Sequence, residues 1–267
     1  MCLILLAWKA HPRWRLLLAA NRDERHDRAS SAAGWWPDLP TAFGGRDLVA
    51  GGSWLGVTRA GRFAAITNHR DLRRPARQAE SRGALVRDFL AGTATPAAWL
   101  AKVESERQRW LPFNLLVGDG DTLACLSTEA PDGARVQLLH SGLHGISNHL
   151  LDTPWPKVRR GTAALQAVLA SDAADPFPPL LAALADRRVA ADHELPDTGL
   201  PLERERQISA AMIVDPVYGT RCATVLALDH GGAWRCLERS FDPSGALSGE
   251  ACAGSGSAGQ SAARAQR

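Results

Sequence analysis

The sequence predicts an α+β fold in which two antiparallel sheets stack face to face between outer layers of helices, a four-layer α/β/β/α sandwich. Three observations point there. Strand-like apolar runs come in consecutive groups separated by short turns. Helical stretches are bunched between those groups and do not follow single strands, which argues against a parallel βαβ sheet. The first two runs are apolar on both faces, as strands in the middle of a sandwich are.

Residues 2–8 (CLILLAW) form the first such run, KAHPRW turns the chain, and 15–20 (RLLLAA) returns as the second strand of a hairpin. NRDERHDR (21–28) reads as a polar stretch after that strand, followed by an irregular Gly/Pro/Trp segment to about residue 50. The next hairpin is WLGVTR (54–59), a turn at Ala60-Gly61, and RFAAITN (62–68). SRGALVRDFLAG then has the marks of a helix: Ser81 as N-cap, apolar Leu85, Val86, Phe89 and Leu90 on one face, and Gly92 to close it. A second helix is expected over 96–103, and strands over 113–119, 122–127 and 135–140. After a loop around 145–156 come an amphipathic helix over 157–170 and a Pro-punctuated helical stretch over 177–186. The last strands are expected at 208–215, 222–229 and 234–240. Residues 1–248 read as a single domain, and the Gly/Ala/Ser-rich 249–267 as a disordered tail.

The chain has 267 residues, 45% of them apolar and 22% charged, which is enough for a substantial core. Its net charge is only +3, and all but three of its 31 basic residues (Lys9, Lys102, Lys157) are arginines. No region interleaves basic residues with exposed aromatics, so no nucleic-acid partner is expected. Five scattered cysteines without a C-x-x-C predict neither a disulfide framework nor a zinc site, but reduced thiols. The N-terminal apolar run is too short for a secretory signal or a membrane span and meets Lys9, His11 and Arg13 at once. The expected location is cytoplasmic.

Candidate chemistry begins at Cys2. Removal of Met1 would put a thiol and a free α-amine on one residue, a nucleophile with its own base. Taken alone, a cysteine there also reads as a small buried hydrophobe opening a strand. The hairpin brings Asn21-Arg22-Asp23-Glu24 back beside the start of the first strand. There a carboxylate can orient the amine and a guanidinium can favour the thiolate. Asn68 and Asn148 each end an apolar strand, where a side-chain amide can donate to a developing oxyanion or make a turn. Gly51-Gly52-Ser53-Trp54-Leu55-Gly56 lacks P-loop spacing and leads into a strand. It suggests backbone packed closely against a pocket with Trp54 as a wall. Arg221 opens a late strand, and the basic run 70–77 is a solvated loop or a greeting surface for an anion. His140, His144 and His149 do not share a helix face, so no metal site is predicted.

Cys2, N-R-D-E, GGSWLG, TNHRD, SRG, FNLLVGD, GISNHLLDTPWPKV and YGTRCATV occur in that order from Cys2 to about residue 240. In this the chain resembles the NRDE-motif family, also called the transport-and-Golgi-organisation protein family, itself regarded as related to N-terminal nucleophile hydrolases. The resemblance implies the same four-layer sandwich and a cysteine attacking a linear, non-peptide C–N bond with no cofactor required. Carried over, it assigns Cys2 as nucleophile and Asp23 as holder of the amine. Arg22 and Arg221 tune the thiolate, and Asn68 and Asn148 serve as oxyanion donors. The spacing of N-R-D differs from the Arg-x-x-Asp of bile-acid hydrolases. Either Asn21 or Arg22 therefore takes the arginine's place, with Asn21 and Trp54 as substrate-binding positions. The resemblance also implies a second reading, a non-enzymatic haem or lipid/acyl carrier using the same pocket. The sequence holds no Cys-Pro haem motif and no C-x-x-C-H.

Overall fold

The computed structural model describes residues 3–73, 75, 77–171 and 174–255. Strands β1 (Leu3–Trp8), β2 (Trp14–Arg25), β3 (Ser30–Trp36), β4 (Leu39–Asp47), β5 (Leu55–Thr58) and β6 (Phe63–Asn68) precede helices α1 (Gly83–Ala91) and α2 (Pro96–Ser105). Next come β7 (Phe113–Gly118), β8 (Leu123–Ser127), β9 (Val136–Leu138) and β10 (Gly142–Ile146), then α3 (Pro156–Ala170), α4 (Phe177–Leu184) and α5 (Leu202–Gln207). The last strands are β11 (Tyr218–Asp229), β12 (Trp234–Phe241) and β13 (Leu247–Gly254). One sheet has the order β10-β1-β2-β11-β12-β13 and the other runs β3 to β9 in sequence. Every pairing within the two sheets is antiparallel.

Side-chain alternation builds the layers. Ile4, Leu6 and Trp8 of β1 and Leu16, Leu18 and Ala20 of β2 face the second sheet, where they meet Phe43, Val57, Phe63 and Leu116. The intervening Leu3, Leu5, Ala7, Leu17 and Ala19 face Val158 and Leu165 of α3 and Phe177, Leu180 and Leu184 of α4. On the other side Leu85, Val86, Phe89 and Leu90 of α1, with Leu100 and Val103 of α2, cover Ala64, Leu115, Val117 and Leu126. Each buried Leu or Phe contributes roughly 1.5–3 kcal/mol, so a strand apolar on both faces is stable only between two such layers. The predicted α/β/β/α sandwich is the observed architecture.

Several expectations need correction. The second strand does not end at residue 20: the polar 21–25 is the second half of β2, zipped against β11 from Ala223↔Asn21 to Tyr218↔Arg25. The irregular segment before residue 50 is the β3–β4 hairpin, whose glycines weaken a strand signal without preventing backbone pairing. The short edge strand β10 and the six-residue α5 were not foreseen. Residues 208–215 are buried over 208–213 but are not a strand. Their backbone groups bond to the side chains of Lys157, Asn21 and Thr220 and to the Asp186 carbonyl. α1 starts at Gly83 after Arg82, with no side-chain cap from Ser81. The expected tail does not begin at 249: Leu247–Gly254 pairs with β12 as an edge strand, where small residues suffice because the backbone makes the contacts. Residues 256–267 lie outside the described residues.

Candidate active site

Leu3 stands opposite Asn21 at the end of the β1–β2 hairpin, and β2 continues past it as Arg22, Asp23 and Glu24. Cys2, the expected nucleophile, lies outside the described residues. Alternation then splits the N-R-D motif. Arg22 keeps the parity of Leu16, Leu18 and Ala20 and points between the sheets. It is 4% exposed, its guanidinium lies 4.2 Å from the Trp54 ring centre, and Nη1 donates to Ser30 Oγ at 3.4 Å. Burial pulls its pKa below the ordinary arginine value. Asn21 keeps the parity of Leu17 and Ala19 and points to the helix layer. Both hydrogens of its amide go to the carbonyls of Leu184 (2.8 Å) and Ala211 (2.7 Å). It is fully buried and lines no part of the cleft, so the expectation that it contacts substrate does not match its placement.

Asp23 is buried and accepts from Thr220 Oγ1 at 2.6 Å, and Thr220 Oγ1 in turn accepts from Ile213 N at 2.9 Å. The β2–β11 register skips one residue between Thr220 and Cys222, which makes Arg221 the extra residue of a bulge. Its Nη1 donates to the carbonyls of Arg25, His26 and Arg28, so the guanidinium clamps the β2–β3 turn. It also shares a small cavity of about 140 Å³ with Arg22 and Trp54.

Asn68 and Asn148, 80 residues apart, are brought together: Asn148 Nδ2 donates to the Asn68 carbonyl at 3.0 Å. Asn148 is held from behind. Asn114 Nδ2 donates to Thr67 Oγ1 (3.0 Å) and the His149 carbonyl (2.9 Å), and Thr67 Oγ1 donates to the Ser147 carbonyl (2.8 Å). The Arg70 amide donates to the Asn148 carbonyl, and Arg70 Nη2 meets buried Glu205 at 2.9 Å, which docks the TNHRD loop onto α5.

The cleft has two lobes. The smaller, about 450 Å³, is lined by Arg22, Trp54, Asn68, Arg28, Asp47 and Arg82 among others. The larger, about 670 Å³, is lined by Asn68, Asn148, His69, Leu111, Ile208 and Tyr218 among others. Asn68, Arg82 and Leu111 belong to both. The glycine-rich segment packs closely here, as expected: a Cβ on Gly52 would stand 2.3 Å from the Gly83 carbonyl carbon, and one on Gly45 would stand 2.0 Å from the Trp54 ring. Ser53 N donates to the Gly83 carbonyl, tying this loop to the start of α1.

Sequence reasoning missed Arg82, Asn114, Thr67 and Glu238. Glu238 lies between the sheets, 2% exposed, and accepts from Ala33 N (2.7 Å) and Thr224 Oγ1 (3.0 Å). Burial pushes its pKa up. The signal was parity, because Trp234 and Cys236 face inward and Glu238 follows two residues on. The thiols of Cys125, Cys222 and Cys236 are free and buried, and burial raises the pKa of each, that of Cys125 to about 12. Such thiols are inert as nucleophiles. His144 bonds to Asp152 and His149 to Thr153, and no group of three metal-ligating side chains occurs among the described residues. No helix there is long and apolar enough to cross a membrane.

A family model described as Transport and Golgi organisation 2 matches residues 1–243. The human Transport and Golgi organization protein 2 homolog is 32% identical over 260 residues, covering 90% of this chain and 93% of the human protein. The mouse Transport and Golgi organization 2 homolog is 30% identical with the same coverage. Among solved structures, a Caenorhabditis elegans N-acylethanolamine-hydrolyzing acid amidase ortholog aligns with a TM-score of 0.41 at 10% identity, over 84% of this chain and 92% of that one. On the length and identity of the sequence matches, the chain belongs to the Transport and Golgi organisation 2 family.

Proposed function

We propose that the protein is an N-terminal-nucleophile amidohydrolase acting on a linear, non-peptide C–N bond. The observation that carries this reading is the β1–β2 register. Leu3, to which Cys2 is joined by one peptide bond, faces Asn21, and the same strand continues into buried Arg22 and Asp23. With Met1 removed, the α-amine of Cys2 takes the Sγ proton and the thiolate adds to the amide carbonyl carbon. Asp23 holds the amine. Arg22 favours the thiolate by its charge, and Arg221 contributes by fixing the turn beyond β2. The carbonyl oxygen becomes an oxyanion that accepts hydrogen bonds from the Asn68 and Asn148 amides. Collapse breaks the C–N bond, and the amine leaves with the proton returned by the α-ammonium. Water then adds to the thioester, releasing the carboxylic acid and regenerating the thiol. No cofactor enters these steps, and a reducing cytoplasm keeps the thiol available.

Intact mass comes first, because retained Met1 blocks the amine and ends the reading. The purified protein and Cys2→Ala are then screened against N-acyl amides. Turnover by the first and none by the second is expected. No turnover from a Met1-free protein whose Cys2 reacts no faster with an electrophile than its other thiols would overturn it.

A carrier reading is favoured by one feature, the apolar share of the larger lobe: Leu72, Leu111, Leu200, Ile208 and Tyr218. These suit an acyl chain or a porphyrin cargo, and His69 and Tyr218 are the side chains there of a type that ligates haem iron. A haemin Soret shift that persists in Cys2→Ala supports the carrier.

A further inference from the structure

We propose that Arg82, at the junction of the two lobes, is an anion anchor, and that the ligand of this cleft carries a carboxylate. The charge balance of the smaller lobe leads there. Three carboxylates line it, and each is already engaged. Asp47 pairs with Arg28 at 2.6 Å. Glu24 lies 3.9 Å from Arg28 and accepts from the Arg25 amide. Glu80 takes both arms of Arg109 at 2.8 and 2.9 Å. Arg82 is left with a single hydrogen bond, from Nη1 to the Pro112 carbonyl at 3.1 Å, and has no carboxylate within 4 Å among the described residues. A guanidinium carries five donors in a planar fork suited to a bidentate carboxylate.

Its position adds to this. Arg82 borders both lobes together with Asn68, so an anion held on its fork lies in the same cleft as the oxyanion donor. The backbone that carries it is rigid: Gly83 is packed on Gly52 and bonded to Ser53 N, and α1 continues directly from Arg82. Burial lowers the pKa of Arg82, with Glu24 and Arg28 acting on it in opposite senses. Taking a counter-anion offsets that desolvation. The smaller lobe is mainly polar and the larger one holds the apolar lining, so the two sides suit a molecule that is charged at one end and hydrocarbon at the other.

Calling that ligand an amide substrate rests on the hydrolase reading; the anchor does not. The test is therefore equilibrium binding to Cys2→Ala, by calorimetry, with three probes of equal acyl-chain length. These are N-dodecanoylglycine (carboxylate on the amine side), the monoamide of dodecanedioic acid (carboxylate on the acyl side) and neutral N-dodecanoyl ethanolamide. One of the two charged probes is expected to bind about tenfold to a hundredfold more tightly than the neutral one, as a charge-assisted bidentate contact does. In Arg82→Gln that preference should fall to about twofold, and in Arg82→Lys part of it should return. The preference shown by Cys2→Ala with Arg82 intact should also shrink as salt is raised. Which charged probe wins tells on which side of the scissile bond the anion sits. Equal binding of charged and neutral probes, or a preference that survives in a folded Arg82→Gln, overturns the anchor. If a Met1-free protein turns over no amide, its Cys2 reacts no faster than its other thiols and the Arg82-dependent preference is still present, the hydrolase reading falls and the anchor stands.

Discussion

Replacing Glu238 by Gln and by Ala separates the two things this buried carboxyl does. It accepts from Ala33 N of β3 at 2.7 Å and from Thr224 of β11 at 3.0 Å, so it stitches one sheet to the other beside Arg22. Alanine removes both acceptors. An orphaned buried donor costs about 1–3 kcal/mol, and the void left by the lost side chain adds to that. We expect Glu238→Ala to lose on the order of 3 kcal/mol or more. Glutamine keeps an acceptor for Ala33 N and an amide for Thr224. Its effect is electrostatic.

Because burial lifts the folded-state pKa of Glu238 above the ordinary glutamate value, the folded chain keeps a proton that the unfolded chain releases. Its contribution is fully present below the unfolded pKa, and stability is then lost as the pH rises through the folded one. The slope in that window approaches about 1.36 kcal/mol per pH unit. Glu238→Gln should match wild type at about pH 4 and become progressively more stable than wild type as the pH rises from there. Urea unfolding of both proteins at several pH values measures this. A gap that stays flat with pH would show a Glu238 carboxyl with no shift on folding, and a glutamine variant that falls further below wild type as the pH rises would show an ionised Glu238 held by Arg22; either result refutes the reasoning.

Two other substitutions probe the walls of the cleft. Gly45→Ala drives a methyl to within 2.0 Å of the Trp54 ring, which must leave its stack on Arg22. A loss of about 1–3 kcal/mol in denaturant unfolding is expected, and an unchanged midpoint would contradict that packing. Glu205→Ala strands the Arg70 guanidinium and the Thr198 amide. It should cost about 3 kcal/mol and raise hydrogen exchange over 69–73 first, with Glu205→Gln milder; protection left intact in that loop would count against its docking onto α5.

Much of the architecture was legible because burial writes itself into local pattern. Double-faced apolar runs at 2–8 and 15–20 demand a layer on each side, and the Leu85, Val86, Phe89 and Leu90 spacing has one helical solution. What misled was polarity and composition. Asn21 to Arg25 look like a loop, yet they pair as strand because Thr220 and the Leu184 and Ala211 carbonyls satisfy them. Residues 208–215 look like a strand, yet the side chains of Lys157, Asn21 and Thr220 take backbone bonds of this segment.

The order of residues along the chain therefore determined the layers and the hairpin, and it singled out Cys2, Arg22, Asp23, Asn68 and Asn148 as the candidates for chemistry. Each of these follows from side-chain type, alternation or motif. Only the folded chain decided that Asn21 turns away from the cleft, that Arg221 clamps a turn from a bulge, that Asn68 and Asn148 meet, and that Arg82 stands between two lobes. Those outcomes depend on strand register and on partners distant in the sequence, which no local pattern encodes.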